Sequence, residues 1–244
     1  MTPLEILFKE SQKNRESAVT FLRSRGISLE TINRFEVGYL SKIDLSSAIT
    51  SIPKDQIPSK LKSIETWNSR IILPIRSPLG DIFQLVTRET TEKKYEEVQD
   101  QTKSYFPSYY GLTKSLQRIW DTRICFLTEG AIDLMAVSQI FPNIPIIAAN
   151  SQALTAQHKD FLSRYVSRLV LLFDRGTDKT YTEMIKALPD VDLIERLEWN
   201  LPDRANSKLK DVADLLKVKG ASFLRRFLLD QFPWIEEVDN VDRT

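Results

Sequence analysis

The chain reads as an α/β protein, a doubly wound parallel sheet in its second half preceded by a smaller mixed α/β subdomain. Three observations lead there. From Ile124 onward, short apolar runs rich in Ile, Leu and Val alternate with stretches of helical length, the grammar of strand and helix units whose strands are covered on both faces. Two of those runs end in acidic phrases, Thr128-Glu129-Gly130-Ala131-Ile132-Asp133 and Phe173-Asp174-Arg175-Gly176-Thr177-Asp178. Ahead of Ile124 the alternation is missing, and helices are followed by two strands about a tight turn.

The elements follow in chain order. Leu4, Leu7, Phe8, Val19, Phe21 and Leu22 predict a helix over 4–24, Gly26 breaks it, and Ser28 caps a second short helix running to Arg34. A lysine- and proline-rich stretch, Ile52 to Ile64, is a connection. Arg70 to Ile75 and Ile82 to Thr87 are strands, and Pro78 and Gly80 in Ser77-Pro78-Leu79-Gly80 make the turn between them. The polar run Glu89 to Lys103 is expected to be an exposed loop or ribbon carrying function on its tip. In the second half, strands are expected at 124–128, 144–148, 169–173 and 191–195, with helices near 132–141, 156–165 and 179–188. Ser222 to Phe232 forms an amphipathic tail helix. The resulting division is 1–122 for a basic N-terminal subdomain, 123–220 for the parallel-sheet domain and 221–244 for a helix and tail, with no internal repeat or low-complexity segment.

Composition narrows the function classes. The chain has 244 residues, of which 42% are hydrophobic, enough for a substantial core. Cys125 is the single cysteine and His158 the single histidine, which excludes a disulfide framework and a Cys/His zinc site within this chain. A reducing, cytoplasmic setting is expected. No apolar stretch approaches the ~18 to 20 residues of a membrane span, and Met1 to Glu10 lacks the character of a secretory signal. Net charge is +1, but residues 1–128 hold 19 Lys and Arg against 15 Asp and Glu, and residues 129–244 hold 15 against 18. A basic front and an acidic back suit a protein that meets phosphates with one half and metal ions with the other.

Glu129 and Asp174 carry the chemistry. Each stands where a strand ends, so in a parallel sheet both carboxylates converge on one crevice, where hard oxygen ligands hold a hard divalent cation against a phosphate. Two carboxylates there repel unless a cation neutralises them. The competing reading makes both of them helix N-terminal acids that satisfy orphan amides and the dipole. Downstream, Lys210-Asp211-Val212-Ala213-Asp214 places Asp211 as a helix cap with Asp214 on the same face, able to accept a second metal or its water shell, although any capped helix shows this pattern. Cys125 is expected in the core and His158 to decorate a helix. Trp67, Trp120, Trp199 and Trp234 are too scattered for a stacking platform.

Together these phrases resemble the TOPRIM fold of bacterial-type primases, topoisomerases and some nucleases, and the front half narrows the resemblance to the catalytic core of DnaG-type DNA primases. Phe21-Leu22-Arg23-Ser24-Arg25-Gly26-Ile27-Ser28, with Phe35 and Val37-Gly38-Tyr39, is similar to the primase-core entry pattern. Arg70-Ile71-Ile72-Leu73-Pro74-Ile75-Arg76 resembles the family's R-I-x-F-P-I-R strand. Gly80, Thr87-Arg88, Lys94-Tyr95 and Tyr110-Gly111-Leu112 follow in family order, and the TOPRIM part adds Glu129-Gly130 with Asp133, Leu154-Thr155 with His158, Asp174, and Lys210-Asp211 with Asp214. The resemblance spans roughly residues 20–217. It implies short RNA primer synthesis on single-stranded DNA from nucleoside triphosphates, with Mg2+ or Mn2+ held by Glu129, Asp174, Asp178, Asp211 and Asp214. It also implies a basic face of Arg25, Arg88, Lys94 and Tyr95 for template or incoming nucleotide. Surface ion pairing beside an acidic loop is the competing explanation of Arg88 and Lys94, against which their order within the larger pattern favours the functional one.

The sequence departs from the family in particular places. The acid expected two residues after Asp174 is Gly176, with Asp178 two residues further on, and Ser151 stands where the family has glycine. The zinc ribbon ahead of the core and the helical or helicase module behind it are missing, so a replicative helicase or a separate zinc-ribbon protein is the expected partner, and the chain reads as a stand-alone core, a fragment or a weakened relative. The rival functions are an accessory factor binding single-stranded DNA or a helicase, and a TOPRIM nuclease.

Overall fold

The computed structural model describes residues 1–57, 69–90, 107–150, 154–201 and 209–240, and the backbone course of 95–99. Trp67, Lys94 and Ser151 lie outside these residues, as does the Tyr95 side chain. Two compact units are present, one of Met1–Ser24 with Ser28–Phe106 and one of Arg25–Ile27 with Pro107–Thr244.

In the first unit, α1 (Pro3–Ser11) opens on a capping box in which Thr2 and Glu5 bond each other's backbone amides, with Pro3 at the first helical position. The single helix expected over 4–24 is two, because α2 (Glu16–Ser24) follows a break at 12–15. Apolar residues lapse between Phe8 and Ala18, and the polar ones bond elsewhere: Ser11 Oγ to the Phe8 carbonyl at 2.6 Å, Gln12 Nε2 to the Glu36 carbonyl at 3.2 Å, and Asn14 Nδ2 to Asp44 at 3.2 Å. The helix α3 (Leu29–Arg34) has Ser28 as its cap, as expected. It leads into β1 (Gly38–Leu40) and then α4 (Lys42–Thr50), begun by a Ser41 and Asp44 capping box. The hairpin of β2 (Arg70–Arg76) and β3 (Ile82–Glu89) turns where Pro78 and Gly80 predict, with Gly80 at φ 93° and its amide donating to the Ser77 carbonyl at 2.8 Å. β4 (Tyr95–Gln99) completes an antiparallel sheet of order β1-β2-β3-β4. Leu4, Leu7, Leu45 and Ala48 pack with Leu40, Ile72, Ile82 and Leu85 in one core.

Glu89 is the start of an exposed run by sequence, yet it is 3% exposed and belongs to β3. The reason is register: Glu89 lies opposite Arg70, whose guanidinium is wholly buried and reaches Glu89 Oε1 at 2.8 Å and Thr87 Oγ1 at 3.2 Å. Arg88 does not fit the surface-pair explanation either. Only 6% exposed, it lies over the Phe21 ring, 4.8 Å from the centroid.

In the second unit the order is α5 (Leu112–Thr122), β5 (Ile124–Thr128), α6 (Ala131–Ile140), β6 (Ile146–Ala148), α7 (Ala156–Tyr165), β7 (Arg168–Leu172), α8 (Asp178–Ala187), β8 (Leu193–Arg196), α9 (Val212–Lys219), α10 (Ala221–Leu229) and α11 (Ile235–Asn240). The strands form a wholly parallel sheet of order β6-β5-β7-β8. Cys125, Leu127, Leu169 and Leu171 face a core shared with α5, α7 and α8. On the opposite face Phe126 meets Trp234 at 5.5 Å, and α6 packs on α9 and α10. The sheet is therefore doubly wound, as the alternation predicts, and α6 is buried nearly throughout.

Other differences have local causes. α5 is not expected from the sequence, and Leu112 and Ile119 bury it in the second unit's core. Tyr110, just ahead of it, exchanges two backbone hydrogen bonds with Ala148 and shields the β6 edge. The tail helix stops at Leu229, short of Phe232, where Pro233 follows. No helix among the described residues is long and apolar enough to cross a membrane.

Candidate functional site

The strand order reverses between β5 and β7: the chain leaves β5 for β6 on one side and returns across it to β7 on the other. Such a switch point opens a crevice beyond the strand carboxyl ends. Glu129 follows β5 and Asp174 follows β7, in strands whose last residues, Thr128 and Leu172, are register partners. The Asp174 amide donates to Glu129 Oε1 at 3.3 Å, so the two strand ends are joined through an acid the sequence already singles out.

Three carboxylates gather at this place. One oxygen each from Asp133, Asp174 and Asp211 lies within 4.8 Å of the others. Asp133 comes from the first turn of α6, and its Oδ1 accepts from the Ala213 amide in the first turn of α9 at 3.2 Å. Asp211 is the N-cap of α9, as expected, and its Oδ1 accepts from the Asp214 amide at 2.6 Å. Helix N-terminal amides thus lower the repulsion at Asp133 and Asp211, whereas the amide that Glu129 accepts from is that of Asp174, ahead of α8 rather than in a helix. Asp133 is missing from the sequence-based ligand set. Its signal was present: a lone carboxylate on a helix otherwise built from Ala131, Ile132, Leu134, Met135, Ala136 and Val137 is buried only with a charge or hydrogen-bond partner.

The other candidates lie as follows. Asp214 faces Arg25, with Arg25 Nη2 at 3.1 Å from Asp214 Oδ1 and 3.9 Å from Asp211 Oδ1. Asp178 begins α8, is 80% exposed in its side chain and pairs with Arg196, which also binds Glu198 at 2.6 Å. It is not among the three gathered acids. Gly176 has φ 87° and open space around the position of a missing Cβ. A cleft of about 300 Å³ opens beside Asp174, lined among others by Tyr181, Arg196 and Trp199. Arg88 sits in the first unit as described.

His158 does more than decorate a helix. It is buried and completes the cap of α7: its Nδ1 accepts from the Thr155 amide at 3.3 Å, its Nε2 meets Ser108 Oγ at 3.0 Å, and its ring stacks on Tyr109 at 4.2 Å. With Nδ1 accepting, Nε2 carries the proton, so His158 is not poised to deprotonate Ser108. Burial lowers its pKa to about 4. Burial also raises the Tyr109 hydroxyl well above its usual range and pushes the Cys125 thiol up, which leaves that core thiol unreactive.

Chemically, the gathered acids offer only hard oxygen donors. One oxygen of each lies within 4.8 Å of the others, close enough for a single hard cation to draw the three together. The donor set and spacing fit Mg2+ or Mn2+, and lack the sulfur and imidazole donors that favour zinc.

Two family models match the chain in order: the N-terminal domain of the DNA primase catalytic core over residues 7–106, and a Toprim-like model over residues 126–216. Among curated proteins, the DNA primase of Aquifex aeolicus is 24% identical over 197 residues, which cover 75% of this chain and 39% of that protein. The chain thus spans well under half the length of that relative. Among solved structures, the zinc-binding and RNA polymerase domains of the Aquifex aeolicus primase align with a TM-score of 0.66 at 20% identity, covering 94% of this chain and 62% of the other. A DnaG primase catalytic domain bound to single-stranded DNA aligns with a TM-score of 0.60 at 20% identity, covering 93% and 79%.

Proposed function

Because the chain belongs to the DnaG-type DNA primase cores, we propose that it is a primase-like RNA polymerase core, joining nucleoside triphosphates into short RNA primers on a single-stranded DNA template. The observation that carries this reading is the gathering of Asp133, Asp174 and Asp211 at the switch point of the parallel sheet, with Glu129 bonded to the Asp174 amide. Asp133, Asp174 and Asp211 are the residues assigned to hold Mg2+ or Mn2+, which when bound supplies charge neutralisation for the triphosphate and a more acidic 3′-hydroxyl.

In the proposed reaction the primer 3′-oxygen forms a bond to the α-phosphorus, the bond from that phosphorus to the bridging oxygen breaks, and pyrophosphate leaves. The proton of the 3′-hydroxyl passes to the Glu129 carboxylate, which the Asp174 amide holds beside the acids. Little else is asked of the protein in such a transfer beyond position and charge. Template or incoming nucleotide is assigned to Arg88, Lys94 and Tyr95 by the family pattern, which also includes Arg25, a residue whose guanidinium here bonds Asp214. A single-stranded template is supported by the DNA-bound primase domain with the same fold.

A second reading has its own observation. Gly176 supplies no carboxylate, and Asp178 is engaged with Arg196, which favours a weakened relative that binds single-stranded DNA as an accessory factor. Incorporation of labelled ribonucleotides on single-stranded DNA separates the two: the polymerase reading requires primers, and the accessory reading requires salt-sensitive binding without them.

A further inference from the structure

The acids of the second unit differ in how they are gathered. Asp133, Asp174 and Asp211 share one point in space. Asp214, one turn along α9, has both oxygens engaged: Oδ1 with Arg25 Nη2 at 3.1 Å and Oδ2 with the Lys210 amide at 3.3 Å. The same guanidinium reaches Asp211 Oδ1 at 3.9 Å. Resting on the proposed metal-dependent reading, we propose that the site takes a single divalent cation on Asp133, Asp174 and Asp211, and that the Arg25 guanidinium provides the positive charge at Asp211 and Asp214 in place of a second cation.

Arg25 is fixed there by its neighbours along the chain. The Gly26 carbonyl accepts from Gln139 Nε2 of α6 at 3.1 Å, Ile27 is buried, and a Cβ at Gly26 would stand 3.2 Å from Leu216 Cγ of α9. The positive φ of 86° at Gly26 turns the chain immediately after Arg25. Its Nε is enclosed without a hydrogen-bond partner, which leaves the outer nitrogens to face the carboxylates. A dication placed between Asp211 and Asp214 would meet this fixed cation at contact distance, in a partly buried place where like charges are poorly screened.

Asp178, another acid the sequence offers for a metal, is held elsewhere. Asp178 is bound by Arg196, which is itself fixed by Glu198 and by the Tyr181 ring at 4.8 Å. Gly176 contributes no ligand atom from the β7 loop.

Manganese titration followed by electron paramagnetic resonance of free Mn2+ tests the assignment on the full chain. The wild-type protein is expected to bind one Mn2+ with no spin-coupled pair. Arg25→Ala is expected to gain a second, weaker Mn2+ that is lost again in Arg25→Ala with Asp214→Asn, while Arg25→Lys stays at one. Should Arg25→Ala fail to fold, the single variants decide: Asp214→Asn keeps Mn2+ affinity within about threefold of wild type, and Asp133→Asn loses tenfold or more. Two Mn2+ in the wild type, none at all, or an equal loss in Asp214→Asn and Asp133→Asn would overturn the proposal. One Mn2+ bound in this way without primer synthesis would leave it standing and overturn the polymerase reading instead.

Discussion

The Asp174 amide donates to Glu129 Oε1 across 3.3 Å, so the second residue after β7 is tied to the residue after β5 by a bond from one acid's backbone to the other's carboxylate. This bond separates the roles of the two residues. Glu129→Gln keeps an acceptor for the amide and removes only the charge. It is expected to lower nucleotide incorporation by about 10² to 10³, the range of a lost general base, while Mn2+ affinity stays within a few-fold. Asp174→Asn is expected to lose both, and parallel titration and incorporation measurements check the contrast.

His158 makes stability pH-dependent in a definite direction. Its pKa is 6.5 in the unfolded chain and about 4 in the folded one, so the unfolded state binds the proton first. The stabilisation is whole above pH 6.5 and is lost as pH falls towards 4, reaching about 3 kcal/mol. Urea unfolding midpoints between pH 7 and pH 4 should fall more steeply for wild type than for His158→Gln.

Arg70 and Glu89 form a buried pair at opposing positions of β2 and β3. Glu89→Ala removes the Glu89 carboxylate from a wholly buried guanidinium and is expected to cost about 3 to 5 kcal/mol. The double change Arg70→Met with Glu89→Leu is expected to recover much of that loss in thermal or urea unfolding.

Gly38 has no room for a side chain, since a Cβ there would lie 2.0 Å from Ser11 Oγ and 2.7 Å from Ser11 Cβ. Gly38→Ala is expected to destabilise by about 1 to 3 kcal/mol, read as a lowered thermal midpoint, with partial rescue by Ser11→Gly.

Much of the second unit was legible in the sequence because β5 and β7 are covered on both faces, so their residues read as continuous apolar runs, and acids at their ends stand out. What escaped depends on distant partners. Asp133 looked like part of a helix because the oxygens it joins come from residues 174 and 211. Glu89 looked like solvated loop because its partner lies across a strand register, at Arg70. The break between α1 and α2 is local, but it is fixed by bonds from Gln12 to Glu36 and from Asn14 to Asp44 that no window over residues 4–24 contains.

The central claim is tested most directly by primer synthesis from labelled ribonucleotides on single-stranded DNA, in Mg2+ and in Mn2+, with wild type beside Glu129→Gln and Asp174→Asn. The account predicts short labelled products from wild type and a loss of at least about a hundredfold in each variant. Equal product from all three proteins, or DNA binding by wild type with no incorporation, would contradict it.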